Sequence, residues 1–293
     1  MTAGRRLTVA AVLTAGAVLV SGGGMPGAWA AAGATPPRAA LTALTATTTQ
    51  AGVPGAVTGA VPGVTGVVRA GAAGAVRAFA APHRTLRLGA KGAAVKELQN
   101  RLSELGYVPG KIDARYGGTT QSAVWAFQKV QGIKPTSTIT ARTWRALESP
   151  RAPRVLIPNG KPDRVEIDLT RQVAVLYRGG QVRLITHVSS GSGIPYCETA
   201  TWQGKTQRFC GSARTPTGDF KTTWRASGWH TSYLGQLYNP IFFNGGIALH
   251  GALSVPLYPA SHGCVRLPMH VAQILPGLLG AGVPVHVRGR FQR

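Results

Sequence analysis

The spacing of apolar residues changes once along the chain, and that change limits what each part can fold into. From residue 85 the apolar positions recur every three or four residues, and from residue 164 every second residue. The first spacing gathers them on one side of a helix, the second on one face of a strand. In "AAVKELQNRLSELGY", Val95, Leu98, Leu102 and Leu105 keep helical spacing up to a stop at Gly106. In "TTQSAVWAFQKVQGI", Ala123, Val124, Phe127 and Val130 share a side, with Thr119 or Thr120 as N-cap and Gly132 past the end. "TARTWRALE" starts at the cap Thr140 and buries Trp144 and Leu147. These segments predict a small all-α three-helix bundle over residues 85–148.

A proline-marked linker over residues 149–162 leads to the second pattern. "VEIDL", "VAVLY" and "QVRLITHV" predict hairpin-linked strands, the last two joined at Gly179 and Gly180. Further strands are expected in "GDFKTT", "GGIALHG" and "VPVHV", and a helix over residues 268–275, cut short by Pro276. Residues 163–288 thus predict a mainly antiparallel β sandwich or open barrel with one or two helices.

Upstream, Arg5 and Arg6 precede an apolar run from Leu7 to Val20, and "AWA" follows as a small-x-small site. This is the pattern of a secretory signal over residues 1–30, cleaved after Ala30, and is too short and wrongly flanked for a spanning helix. No later segment is long and apolar enough to span a bilayer, and a monomer is expected. Residues 31–82 are Ala, Gly, Pro, Thr and Val with little charge, a disordered spacer rather than a domain.

The chain carries 32 Lys+Arg against 9 Asp+Glu. Such an excess favours anionic surfaces such as a cell wall or membrane. Nucleic acid is not expected, because the basic residues are scattered and no base-reading helix or stacking ladder accompanies them.

Export changes how the three cysteines read. Cys197 and Cys210 flank the polar loop "CETATWQGKTQRFC" and are the natural disulfide pair. That leaves Cys264, inside "YPASHGCVRLP". On an extended segment His262, Cys264 and Arg266 would share a face. An imidazole can take the thiol proton and a guanidinium stabilises the thiolate, the nucleophile of acyl transfer. A second imidazole, His250, ends "GGIALH" and is followed by Gly251. Ser261 offers a hydroxyl, and Gly263 lets backbone approach closely for an oxyanion site. The last of the nine carboxylates is Asp219, so no acid local to the motif can orient the base. A backbone carbonyl, a neutral side chain or a carboxylate from far upstream must do so. His83, His187, His230, His270 and His286 are read as surface or satisfied structural residues.

Two resemblances follow. "LRLGAKGAAVKELQNRLSELGY", "AVWAFQKVQGI" and "TWRAL" are similar to a peptidoglycan-binding domain, although "DARYGG" and "TSTITART" stand where the family favours Asp-Gly turns. "LHG" and "PASHGCVRLP", with "RTPTGDF" and the strand pattern from residue 163, resemble the YkuD-type L,D-transpeptidase catalytic domain. The resemblance implies Cys264 as nucleophile, His250 as general acid/base and Gly251 as the carbonyl that orients it. It further implies that Ser261, His262, Gly263 and Arg266 shape the pocket, oxyanion site and substrate contacts, with Thr215, Pro216 and Gly218 in a turn beside them. The loop between Cys197 and Cys210 has no counterpart in that pattern. The implied reaction is 3→3 cross-linking of peptidoglycan stem peptides on their glycan strands, without cofactor or metal. Hydrolysis in place of transfer, a wall-binding protein with an inactive site, and a zinc hydrolase built on His250, His262 and Cys264 remain the alternatives.

Overall fold

A computed structural model describes residues 84–291; the expected signal segment, the spacer and His83 lie outside them. Three helices come first: α1 (Ala93–Glu104), α2 (Gly118–Val130) and α3 (Ala141–Glu148). Val95, Leu98, Leu102, Val124, Phe127, Trp144 and Leu147 are buried together, as their spacing requires. The α2 start differs from expectation. Gly117 is the N-cap and Thr119 and Thr120 lie in the first turn. The Thr120 hydroxyl instead donates to the Pro109 carbonyl at 3.1 Å and accepts from Gln99 Nε2 at 3.0 Å, fastening the α1–α2 loop.

The second part holds strands β1 (Arg164–Asp168), β2 (Val173–Arg178), β3 (Gln181–His187), β4 (Pro195–Trp202), β5 (Lys205–Ser212), β6 (Gly218–Lys221), β7 (Trp229–Ser232), β8 (Gly235–Asn244), β9 (Ile247–Ala252), β10 (Val265–Pro268) and β11 (Pro284–Arg288), with helix α4 (Met269–Leu278). They form a five-stranded sheet ordered β3-β2-β1-β11-β6, a four-stranded sheet ordered β10-β9-β8-β7, and the separate hairpin β4-β5. This is a mainly β fold with few helices behind a helical N-terminal region. Val165, Ile167, Leu176, Val285 and Val287 of the first sheet meet Ile241, Phe243, Leu249, Val265 and Leu267 of the second in one core, closed by Val271 and Leu275 of α4.

Strand β2 is buried on both faces, and its sequence is accordingly apolar throughout rather than alternating. Ala174 and Leu176 face the sandwich core; Val173, Val175 and Tyr177 face the helices and join their cluster. The bundle and the sheet therefore share a core.

Two expectations need correction. The polar loop between Cys197 and Cys210 is the β4-β5 hairpin, in full antiparallel register, turning at Gln203 and Gly204, both at positive φ. Its strands lie on the surface, so no apolar alternation announced them. Helix α4 also continues through Pro276 to Leu278. Proline removes the donor to the carbonyl four residues back. That carbonyl, on Ala272, accepts from Asn239 Nδ2 at 3.2 Å instead. Arg225 and Arg178 then donate to the Pro276 and Leu278 carbonyls at 3.1 and 2.6 Å, supplying the cations that the last turn lacks.

Candidate active site

Two adjacent strands are parallel in the second sheet, β9 and β10, with Leu249 opposite Val265 and His250 opposite Arg266. Parallel neighbours need a long crossover. Here it is the segment between Ala252 and Val265, which carries "PASHGCV". Alternation does the rest: Leu249, Val265 and Leu267 enter the core, so His250 and Arg266 stand on the opposite face. Cys264, the residue before β10, packs there against the small cluster of Leu237, Phe242 and Ala248.

That face floors a cleft of about 890 Å³ bordered by His250, Ser261, His262, Cys264 and Arg266. The expected extended run from His262 to Arg266 is only partly strand. Residues 262–264 bend, and β10 begins at Val265. All three side chains still border the cleft, with His262 reaching it from the bend.

The His250 Nδ1–H donates to the Gly251 carbonyl at 2.9 Å, which leaves Nε2 as the free lone pair. Burial pulls His250 down to about 4, the Arg266 charge adds to this, and the Gly251 bond opposes it. The ring is therefore neutral at pH 7. Burial pushes the Cys264 thiol up, with a backbone contact at Ala248 and the Arg266 charge partly opposing. A Cys264 thiol and a neutral His250 imidazole thus border the same cleft. Gly251 has a second duty. A Cβ there would lie 2.8 Å from Ala272 Cβ and 3.1 Å from Met269 Sδ, so only glycine lets α4 cross at this point.

The bend before Cys264 is tied from several sides. The Ser261 hydroxyl donates to the Cys264 carbonyl and accepts from the Gly263 N–H at 3.0 Å. Gly263 has φ +145°, and a Cβ on it would lie 2.8 Å from Ile247 Cδ1. Its N–H is thus occupied by Ser261, and its carbonyl accepts from Thr215 Oγ1 at 2.6 Å. Thr215 Oγ1 in turn accepts from the Gly191 N–H at 2.8 Å.

His262 finds a carboxylate from far upstream. Its Nε2 is 2.7 Å from Glu198 Oε1 on β4, and its ring stands edge-on to Tyr196 at 4.7 Å. Cys197 and Cys210, directly opposite in the hairpin register, are bonded to each other. Sequence reasoning missed Glu198 and Tyr196. It also missed the cleft rim of Trp202, Trp224, Trp229 and Tyr233, and His230, which borders the cleft rather than lying apart from it. Trp224 and Trp229 are half exposed yet surrounded by polar sequence, the one signal that could have marked them. Among the described residues, no group of three or more His, Cys, Asp or Glu side chains could hold a metal ion.

Residues 162–287 match the L,D-transpeptidase catalytic domain model (YkuD), and residues 91–147 match a peptidoglycan binding domain model. A crystal structure of an L,D-transpeptidase from Xylanimonas cellulosilytica is 36% identical, with 72% of this chain and 100% of that one covered and a TM-score of 0.62. The chain belongs to the YkuD-type L,D-transpeptidase family. A second L,D-transpeptidase structure, from Stackebrandtia nassauensis, is 25% identical, covering 70% of this chain and 96% of that one at a TM-score of 0.40. No curated protein matches. A family member with both domains, this chain is a peptidoglycan-remodelling enzyme. Among the described residues no helix is long and apolar enough to cross a membrane.

Proposed function

We propose that this protein is an exported cysteine acyltransferase that joins peptidoglycan stems by 3→3 cross-links. The observation that carries the reading is His250, whose Nδ1–H is fixed on the Gly251 carbonyl, standing on the cleft face it shares with Cys264 and Arg266. A tautomer locked in this way presents Nε2 as base without any acid partner.

In the first half-reaction, His250 Nε2 takes the Cys264 proton as sulfur attacks the carbonyl of the third stem residue, diaminopimelate, in a tetrapeptide. The C–N bond to the terminal D-alanine breaks, and the amine leaves with the proton from His250. In the second half-reaction, the side-chain amine of a neighbouring stem attacks the thioester, passes its proton to His250, and the thiol is restored. Arg266 opposes the thiol's raised pKa and offers a cation to substrate carboxylates. Ser261, Gly263 and Thr215 hold the bend that presents Cys264. If water replaces the amine, the same site is an L,D-carboxypeptidase. The helical domain holds the enzyme to the wall, and residues 1–30 export it.

Intact-mass measurement of the full chain with a carbapenem and with disaccharide-tetrapeptide tests this. A covalent adduct on Cys264, D-alanine release and a cross-linked dimer are expected. Cys264→Ala abolishes all three and His250→Ala slows adduct formation at least a hundredfold. Absence of any Cys264 adduct in the wild type rules the reading out. D-Alanine release with only tripeptide product leaves the hydrolase.

A further inference from the structure

A groove of about 760 Å³ runs between the helical bundle and the catalytic part. One wall is a face of α2, with Thr119, Gln121, Ser122 and Trp125. The opposite wall is the loop after β9 and the start of α4, with Ser254, His270 and Gln273. The groove meets the catalytic cleft edge to edge, because Ala252, Leu253 and Ser254 line both.

We propose that this groove is the subsite for the glycan strand to which the reacting stem is attached. The inference rests on the peptidoglycan reading of the cleft. Its first support is charge. The chain has a net charge of +23, yet among the described residues lining the groove there is no Lys, Arg, Asp or Glu. His270 adds none, since burial lowers its pKa. Its Nε2–H donates to the Val108 carbonyl at 2.8 Å, which leaves Nδ1 an acceptor. The groove's amides, hydroxyls and one neutral imidazole stand beside apolar side chains such as Leu253, Val255 and Met269, an uncharged mixture that suits a neutral polymer of sugar rings carrying hydroxyl and acetamido groups. It offers nothing to an anionic polymer, which the basic surface elsewhere would attract.

The second support is distance. Three stem residues separate the sugar from the attacked carbonyl, a span of at most about 10 Å when extended. A glycan subsite must therefore adjoin the Cys264 cleft, and the shared lip meets that demand. The bundle would then act in catalysis as one wall of a substrate site as well as a tether.

The test uses the full chain with two probes: glycan strands stripped of stems by an amidase, and disaccharide-tetrapeptide compared with free tetrapeptide. The wild type should bind stripped strands by calorimetry and acylate Cys264 faster with the disaccharide-bearing stem. Gln121→Ala combined with Gln273→Ala should weaken strand binding about tenfold and remove the preference for the disaccharide, leaving the free-tetrapeptide rate unchanged. Thr119→Arg, which puts bulk and charge into the groove, should do the same. Unchanged strand binding in both variants, or equal slowing with both stems, overturns the proposal. If neither stem acylates Cys264 but stripped strands bind and the variants weaken them, the transferase reading fails and the groove assignment stands.

Discussion

Lys129 Nζ lies 2.7 Å from His187 Nδ1, joining helix α2 of the bundle to the end of β3 in the catalytic part. The His187 Nε2–H donates to the Val255 carbonyl at 2.9 Å, so Nδ1 is the acceptor and the amine donates to it. Lys129 also donates to the Gln172 carbonyl at 3.1 Å. The Gln172 side chain in turn bonds Ser190, whose carbonyl accepts the Ala260 and Ser261 N–H groups at 2.9 and 3.0 Å. Three hydrogen-bonded steps, through Gln172 and Ser190 to Ser261, thus link a buried amine of the bundle to the bend that carries Cys264.

That amine makes folding pH-dependent. Burial lowers Lys129 to about 7 from its ordinary 10.5. Between those values the unfolded chain holds a proton that the folded one has released, so stability rises with pH across this window. His187, lowered to about 3 by burial and then by the Lys129 charge, and His250, lowered to about 4 chiefly by burial, act in the same sense at lower pH. Their contribution is complete above about 6.5 and is lost as pH falls towards their folded values. Urea midpoints measured from pH 3 to 10 should climb in both windows. Lys129→Met should flatten the slope between pH 7 and 10 and leave the acid slope in place.

On the proposed mechanism the same lowering of His250 would set the acid limb of the reaction. A base that stays unprotonated down to about 4 keeps Cys264 acylation active well below the ordinary histidine range. The rate of carbapenem adduct formation should fall only as pH drops through about 4. A limb near 6.5 would mean that His250 is not the base or is not buried when substrate binds.

Much of this site was legible in the sequence because it sits where chain order and space agree. His250 lies on an apolar strand that continues two residues past it, to Ala252, rather than ending there; Cys264 and Arg266 flank the start of the next, and the absence of an acid after Asp219 left a backbone carbonyl, a neutral side chain or a distant carboxylate to orient an imidazole. The helices were legible from Val95, Leu98, Phe127 and Trp144, whose spacing is the core itself. What escaped is non-local or solvent-facing. Glu198 reaches His262 across 64 residues from a hairpin with no buried face. The continuation of α4 through Pro276 depends on the Asn239 amide, which no helix rule contains. Thr120 could not be told from a cap without knowing that Pro109 and Gln99 claim its hydroxyl.

Thr215 offers a sharp test of how the bend before Cys264 is held. One hydroxyl serves two backbone groups, accepting from the partly buried Gly191 N–H and donating to the buried Gly263 carbonyl. Thr215→Val keeps the shape and leaves both unpaired, at a cost of about 1–3 kcal/mol. Thr215→Ser keeps both bonds. Thermal unfolding should show the valine variant destabilised by that amount and the serine variant close to wild type, with Cys264 acylation slowed in the first only.

The β4-β5 hairpin touches the site through Tyr196 and Glu198, both of which contact His262. Its effect should therefore fall on binding rather than on the chemical step. The Glu198–His262 pair is partly exposed, and such pairs contribute roughly 0.2–1 kcal/mol. Glu198→Ala should raise KM for the tetrapeptide stem by no more than about fivefold at unchanged kcat. Replacing Cys197 and Cys210 together by serine frees the hairpin strands and loosens Tyr196 as well, so KM should rise further while the carbapenem adduct on Cys264 still forms. A fall in kcat at unchanged KM in either variant would place His262 in proton transfer and return it to contention with His250 as the base.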